Sequence, residues 1–298
     1  MELIGWLKNK EVLLINGLLI LFFWTIAINS PWKISDELLL LTPDSMTYYD
    51  TGKEFFTSNF EGSSIIRPFL YASFLYLTHS LGGAYLVVII QFLLWLASAN
   101  LVYVTLKKQF LKTNIAVIGL VFFSINVSLI GYSFHGLTEV VSTFLLALLT
   151  YILLSSPAKK LDFALSIKVI LILALLTAIK PLFYYPFVLF SVISVIINMK
   201  FIIRSKISLV FLLLAFSPVV LQISIMKTKH DVMNVSTIGS STFNRYLLAQ
   251  GIRDVEKISD VTESENVALK LTDSARIDYL WSHKSLYARL FFNNVREC

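Results

Sequence analysis

Pro43-Asp44-Ser45-Met46-Thr47-Tyr48-Tyr49-Asp50-Thr51-Gly52-Lys53-Glu54-Phe55 concentrates more reactive side chains than any other stretch of this chain. Pro43 restricts the backbone just before it, and Asp44-Ser45 can cap a helix starting at Ser45. In that helix Met46, Tyr49, Phe55 and Phe56 would lie along an apolar surface, leaving Asp44 at the N-terminal end. A carboxylate beside the positive end of a helix dipole stays ionised and accepts hydrogen bonds well, which suits a general base acting on a hydroxyl. Arg67-Pro68-Phe69-Leu70-Tyr71 follows, then Glu139 beside His135, then Lys180-Pro181 inside an apolar run. Each has a plain structural reading beside the chemical one. Asp44 could simply cap its helix, Glu139 could cap the next one through Thr138, and Arg67 could reach from an apolar surface toward water. Lys180 would cost on the order of 2.5–3.5 kcal/mol at the centre of a bilayer, a cost that vanishes in the headgroup layer. Tyr48, Tyr49, Tyr184 and Tyr185 fit both interfacial aromatics and platforms for a sugar ring. His79 and His283 read as structural, since no two histidines have metal-site spacing.

The elements that must position these groups are strongly apolar. Of 298 residues, 56% are hydrophobic and 15% charged, against about 25% charged in a soluble domain. A globule must still face water, so the solvent for most of this chain is lipid. The formal net charge of +6 would suggest nucleic acid, but the basic residues sit in short loops between apolar runs and report topology instead. Cys298 is the single cysteine, so neither an internal disulfide nor a Cys/His zinc site can form.

Apolar runs of spanning length are Val12–Asn29, Ala84–Leu106, Asn114–Phe134, Leu137–Ser155, Ser166–Ile179, Leu182–Asn198 and Ile207–Ile225. The expected fold is an all-α integral membrane protein of about seven transmembrane helices. Residues 1–225 form the multi-pass domain, with an outer loop over 30–83 carrying interfacial helices, and 226–298 form a soluble or interfacial outer segment. Ile65–Leu81 contains Arg67, Pro68 and His79 and is expected to lie on the bilayer as a lid; a full span there would invert every later loop. Lys180-Pro181 should break a run too long for one span. With the N-terminus inside, eleven basic residues fall in inner loops: Lys8, Lys10, Lys107, Lys108, Lys112, Lys159, Lys160, Lys168, Lys200, Arg204 and Lys206. Four fall outside (Lys33, Lys53, Arg67 and Lys180), so one scheme satisfies the positive-inside rule at every loop. In the tail, Val267–Val295 carries apolar residues at helical spacing with basic ones interleaved, as an amphipathic surface helix or an ordinary packed helix would.

Asp44-Ser45-Met46-Thr47-Tyr48 and Arg67-Pro68-Phe69-Leu70-Tyr71 resemble two segments of the GT-C superfamily of polyprenyl-phosphate-sugar-dependent glycosyltransferases, the group containing protein mannosyltransferases and the lipid A aminoarabinose transferase. Those segments are an Asp in a D-S-x-x-Y-like context in the first outer loop and an R-x-P-x-Y-P-like stretch leading to the next span. Lys180-Pro181 is similar to the family's mid-chain K-P, and Ile277–Tyr287 with His283-Lys284 to its membrane-proximal later segment. Ala72 stands where a proline is expected, and the chain stops after seven spans where family members have more, which implies a truncated member. The resemblance implies an inverting transfer outside the membrane from a sugar on a lipid phosphate to a glycolipid, polysaccharide or protein. Asp44 is then the general base, and Arg67, Lys180, Glu139 and Tyr48 line the substrate site. It implies no certain cofactor, and a divalent cation on carboxylates near Asp44 is compatible with it.

Membrane lipids and the donor lipid are the expected partners, together with a partner membrane chain if the missing spans lie elsewhere; nucleic acid is not expected. Short loops, a cysteine-free tail before Cys298 and no closing retention signal point to a bacterial inner membrane, the site facing outward. Two competing functions remain open: a transporter or flippase of lipid-linked or polar substrates, and a non-catalytic transferase-like membrane subunit. Transporters often carry internal repeats; none stands out here, and the polar residues gather in one loop.

Overall fold

A computed structural model describes residues 10–29, 33–57, 67–110, 113–156, 162–230 and 233–236. Among these, every regular element is a helix. The expected tail helix Val267–Val295, the segment Ile277–Tyr287 and nearly all of the 226–298 unit lie outside the described residues.

Helix α1 runs Lys10–Ile28 and buries Val12, Phe23 and Ala27. The single turn α2, Asp36–Leu39, is capped by Ser35, whose hydroxyl accepts from the Leu38 amide at 3.2 Å. Helix α3, Pro43–Thr57, starts two positions earlier than the helix from Ser45 expected from the sequence. Thr42 caps it instead: its hydroxyl accepts from the Ser45 amide at 3.1 Å, and the Ser45 hydroxyl donates back to the Thr42 carbonyl at 2.8 Å. Pro43 then takes the first helical position, where its missing N–H costs nothing. Asp44 is freed from capping and stands in the first turn.

Helix α4 covers Phe69–Phe110. At 1.5 Å per residue its 42 residues would reach about 63 Å, twice a bilayer's hydrocarbon core. It is broken at Gly82 and Gly83, the latter at φ +62, a backbone conformation only glycine adopts without strain. The break frees amides at the start of the second segment, and the Asp36 carboxylate of α2 accepts from Ala84 at 3.2 Å and contacts His79 Nε2 at 2.9 Å. The first segment packs on α3, and the stretch expected to lie on the bilayer as a separate lid is, from Phe69, continuous with the next helix.

The expected Asn114–Phe134 span is two pieces, α5 at Thr113–Ser124 and α6 at Val127–Tyr132. Asn126 interrupts the run because its carboxamide caps α6, accepting from Leu129 at 3.1 Å. Helix α7, Glu139–Ser155, packs along α4. Helix α8, Phe163–Ile179, is capped by Asp162 and is the most buried in its half of the bundle. It ends at Lys180-Pro181, as the sequence predicts, and a 3-10 turn over Pro181–Phe183 leads to α9, Tyr184–Arg204. Helix α10, Lys206–His230, completes the described fold.

Among the described residues, three stretches are long and apolar enough to cross a membrane: Phe69–Phe110, Pro181–Arg204 and Lys206–Thr228. The first is central, whereas the other two leave Leu189, Ile196, Ile207 and Leu213 on the surface. An apolar surface of that extent marks a membrane-associated protein. Val12–Ile28, Asn114–Ser124, Glu139–Ser155 and Phe163–Ile179 are apolar but shorter.

Candidate functional site

Arg67 stands two residues before α4, and its backbone is anchored from the far end of the sequence. Gln222 of α10, only 1% exposed, accepts from the Phe69 amide at 2.9 Å and donates to the Val235 carbonyl at 2.7 Å. A buried amide satisfied on both sides fixes where the chain enters α4. From there the Arg67 side chain, 10% exposed, turns toward α3. Its Nη2 donates to the Asp44 carboxylate and its Nε to the Thr47 hydroxyl at 3.3 Å, while the guanidinium lies 4.7 Å from the centroid of the Tyr48 ring. Asp44, Thr47 and Tyr48 share one helical face by their three- and four-residue spacing. The fork of Arg can serve all three at once; a point-charge ammonium cannot.

Tyr48 carries the arrangement inward. Its ring meets that of Tyr71 edge-on at 5.2 Å, and the Thr138 side chain lies beside its hydroxyl. Burial pushes the Tyr48 phenol above its ordinary value of 10.0, partly offset by the Arg67 charge and the Thr138 side chain. It is therefore a neutral hydroxyl at physiological pH. Thr138 makes no side-chain cap on α7, so the capping role considered for Glu139 through Thr138 is not the one adopted.

The loop before α7 is held by backbone contacts. The Gly136 amide donates to the Leu39 carbonyl at 2.8 Å, His135 Nδ1 lies 2.8 Å from the Leu38 carbonyl, and Gln91 Nε2 donates to the His135 carbonyl at 3.0 Å. These contacts present Glu139, whose Oε1 accepts from Lys180 Nζ at 2.9 Å. Both side chains are about 30% exposed. The other oxygen, Oε2, is buried and makes no hydrogen bond among the described residues.

The five residues singled out from the sequence form two ion pairs and one ring beside them. Asp44 pairs with Arg67 and Glu139 with Lys180, while Tyr48 lies against the Arg67 guanidinium. Tyr48 is buried rather than an interfacial aromatic, whereas Tyr185 is exposed as such a residue would be. Sequence reasoning carried Thr47 and Tyr71 only as parts of motifs and Thr138 only as a helix cap, and it missed Gln222. The helical spacing from Asp44 could have found Thr47; nothing in the sequence pairs Gln222 with Phe69.

Two carboxylates, two cations and a neutral phenol can hold an anion and move a proton. Among the described residues there is no group of three His, Cys, Asp or Glu side chains placed to hold a metal ion. Compared with protein-family models, curated proteins and solved structures, the chain gives no match to any of the three.

Proposed function

We propose that this chain is a GT-C-type membrane glycosyltransferase that moves a sugar from a polyprenyl-phosphate donor to a hydroxyl of an extracytoplasmic acceptor. The observation carrying this reading is the exposed Asp44 carboxylate paired with Arg67, with Tyr48 against the guanidinium. Lys180, paired with Glu139, adds a second cation of the kind a lipid phosphate requires. The topology that goes with it has seven spans, the N-terminus inside, α2, α3 and the first segment of α4 at the outer surface, and the 226–298 segment outside a bacterial inner membrane.

Asp44 accepts the proton of the acceptor hydroxyl as that oxygen attacks the anomeric carbon. The bond from the anomeric carbon to the phosphate oxygen breaks, and its electron pair leaves on the polyprenyl phosphate. Arg67 is engaged by Asp44 in the resting arrangement, so an arriving phosphate competes for the guanidinium and releases the carboxylate for its task. Lys180 supplies a second positive charge to the leaving phosphate, which needs cationic partners more than an acid. The buried Tyr48 ring holds the Arg67 guanidinium in place.

Proteoliposomes of the full chain, offered polyprenyl-phosphate sugars one at a time, test this reading. Release or transfer of at least one sugar, inhibited by sugar-free polyprenyl phosphate, is the expected result. No turnover with any donor, together with no binding of polyprenyl phosphate, contradicts it.

A further inference from the structure

Helices α9 and α10 meet at a one-residue corner. Arg204 ends α9, Lys206 begins α10, and the Ser205 hydroxyl between them accepts from the Ser208 amide at 3.3 Å. Two chain steps hold the Cα atoms of Arg204 and Lys206 within about 7 Å of each other. Lys200 lies four residues before Arg204, on the same face of α9. All three cations are exposed. None makes an ion pair or a side-chain hydrogen bond among the described residues.

Three other charged groups at this end of the bundle are engaged. Asn198 of α9 donates to Ser166 of α8 at 3.1 Å and Phe201 meets Phe163 at 5.0 Å, which places Asp162, the cap of α8, at the same end. Its carboxylate accepts from the Leu165 amide at 2.7 Å. At the end of α4, Lys107 Nζ donates to the Tyr103 hydroxyl at 3.4 Å and Lys108 Nζ to the Ser155 carbonyl at 3.4 Å. The corner therefore keeps three positive charges that no described carboxylate balances.

Apolar side chains lie between and beside those charges. Phe201 is 53% exposed, Ile203 73% and Ile207 70%, a surface that hydrocarbon accommodates and water does not. Lys and Arg stems can follow such a surface with their charged heads at its edge. What complements both features is an amphiphile with a negative head. The chain leaves α10 at His230, 25 residues and about 37 Å from the corner.

We infer that the α9–α10 corner binds an anionic membrane phospholipid, with Lys200, Arg204 and Lys206 around its phosphate and Phe201, Ile203 and Ile207 along its acyl chains. Basic groups at the membrane-flanking ends of helices recognise anionic heads in this way. The site is separate from the transfer reaction, since the 21 residues of α9, about 31 Å, stand between the corner and the turn that follows Lys180.

Native mass spectrometry of the full chain in neutral detergent, titrated with phosphatidylglycerol or with phosphatidylcholine, tests it. One phosphatidylglycerol should bind about tenfold or more tighter than phosphatidylcholine, whose choline cancels the phosphate charge. Lys200→Gln, Arg204→Gln and Lys206→Gln should each weaken that binding about fivefold, and the triple variant should lose the preference. Lys107→Gln with Lys108→Gln should keep it, because those cations are already engaged. Exposed substitutions of this kind leave the fold intact, which unchanged melting temperatures check. Equal affinity for the two lipids would overturn the anionic head. A preference kept by the triple variant, or lost equally in the Lys107/Lys108 variant, would overturn the corner as its site. Glycerol phosphate displacing the lipid as well as phosphatidylglycerol does would overturn the lipid. A dimer that the triple variant loses, with no lipid preference, would give the corner to a second copy of the chain instead.

Discussion

The Arg67 guanidinium lies 4.7 Å from the centroid of the Tyr48 ring while the same side chain is paired with Asp44. One cation is therefore shared between a carboxylate, a hydroxyl and an aromatic face, all on one turn of α3. Arg67→Lys should lower affinity for a polyprenyl-phosphate donor about tenfold or more, because an ammonium keeps the charge and loses the fork and the planar stacking. Arg67→Ala should do at least as much. Donor binding measured on both variants checks this; a lysine variant binding as the wild type does would mean that only the charge matters.

The second ion pair should behave differently. Lys180→Met leaves Glu139 with neither oxygen paired among the described residues, since Oε2 already has no partner. A loss of roughly 1–3 kcal/mol in stability is expected for a partly buried carboxylate so stranded. Adding Glu139→Gln should recover part of it, because removing both charges costs less than removing one. A double-variant cycle on thermal unfolding in nanodiscs measures the coupling; strict additivity would mean that the pair is not formed.

Gly52 is where α3 and α4 come closest. A Cβ there would lie 2.2 Å from the Ala72 carbonyl oxygen and 2.6 Å from Tyr76 Cβ. The carbonyl belongs to the helix backbone and cannot yield cheaply. Gly52→Ala should therefore cost about 1–3 kcal/mol and displace Asp44 and Tyr48 with their helix. Gly17→Ala, with nothing within 4 Å, should cost nothing. Comparing the two melting temperatures separates the packing effect from any general effect of alanine.

Tyr48 gives the fold a pH dependence of known sign. Its phenol is raised above 10.0, mainly by burial. A group whose folded pKa is raised contributes stability that is complete below the unfolded value, here about 10, and is lost as pH rises through the folded one. Wild-type melting should fall more steeply above pH 10 than that of Tyr48→Phe. Parallel pH profiles in the two proteins would show that Tyr48 is not the source.

The helices were legible in the sequence because their signals are local. The apolar runs of α1, α7, α8 and α10 and the Lys180-Pro181 break needed only composition and spacing. The break at Asn126 was not read, because one polar residue in an apolar run is as compatible with a satisfied carboxamide as with a cap. The fusion of the Phe69–Leu81 segment to the next helix across Gly82 and Gly83 depends on Asp36 reaching Ala84, a contact without a sequence pattern. The same holds within the site. Asp44, Arg67, Glu139, Lys180 and Tyr48 could be named from type and context. Their pairing, and the anchoring of Arg67 by Gln222, are products of tertiary structure.

The most direct test of the central claim is single-turnover sugar transfer by wild type and Asp44→Asn, with donor binding measured on the same preparations. Asparagine keeps the size of Asp44 and can still accept a hydrogen bond from Arg67, but it cannot take a proton. Donor binding within a few fold of wild type, with the transfer rate reduced about 10²–10⁴-fold, is the predicted result. Transfer at the wild-type rate by Asp44→Asn would contradict the assignment of Asp44 as the base.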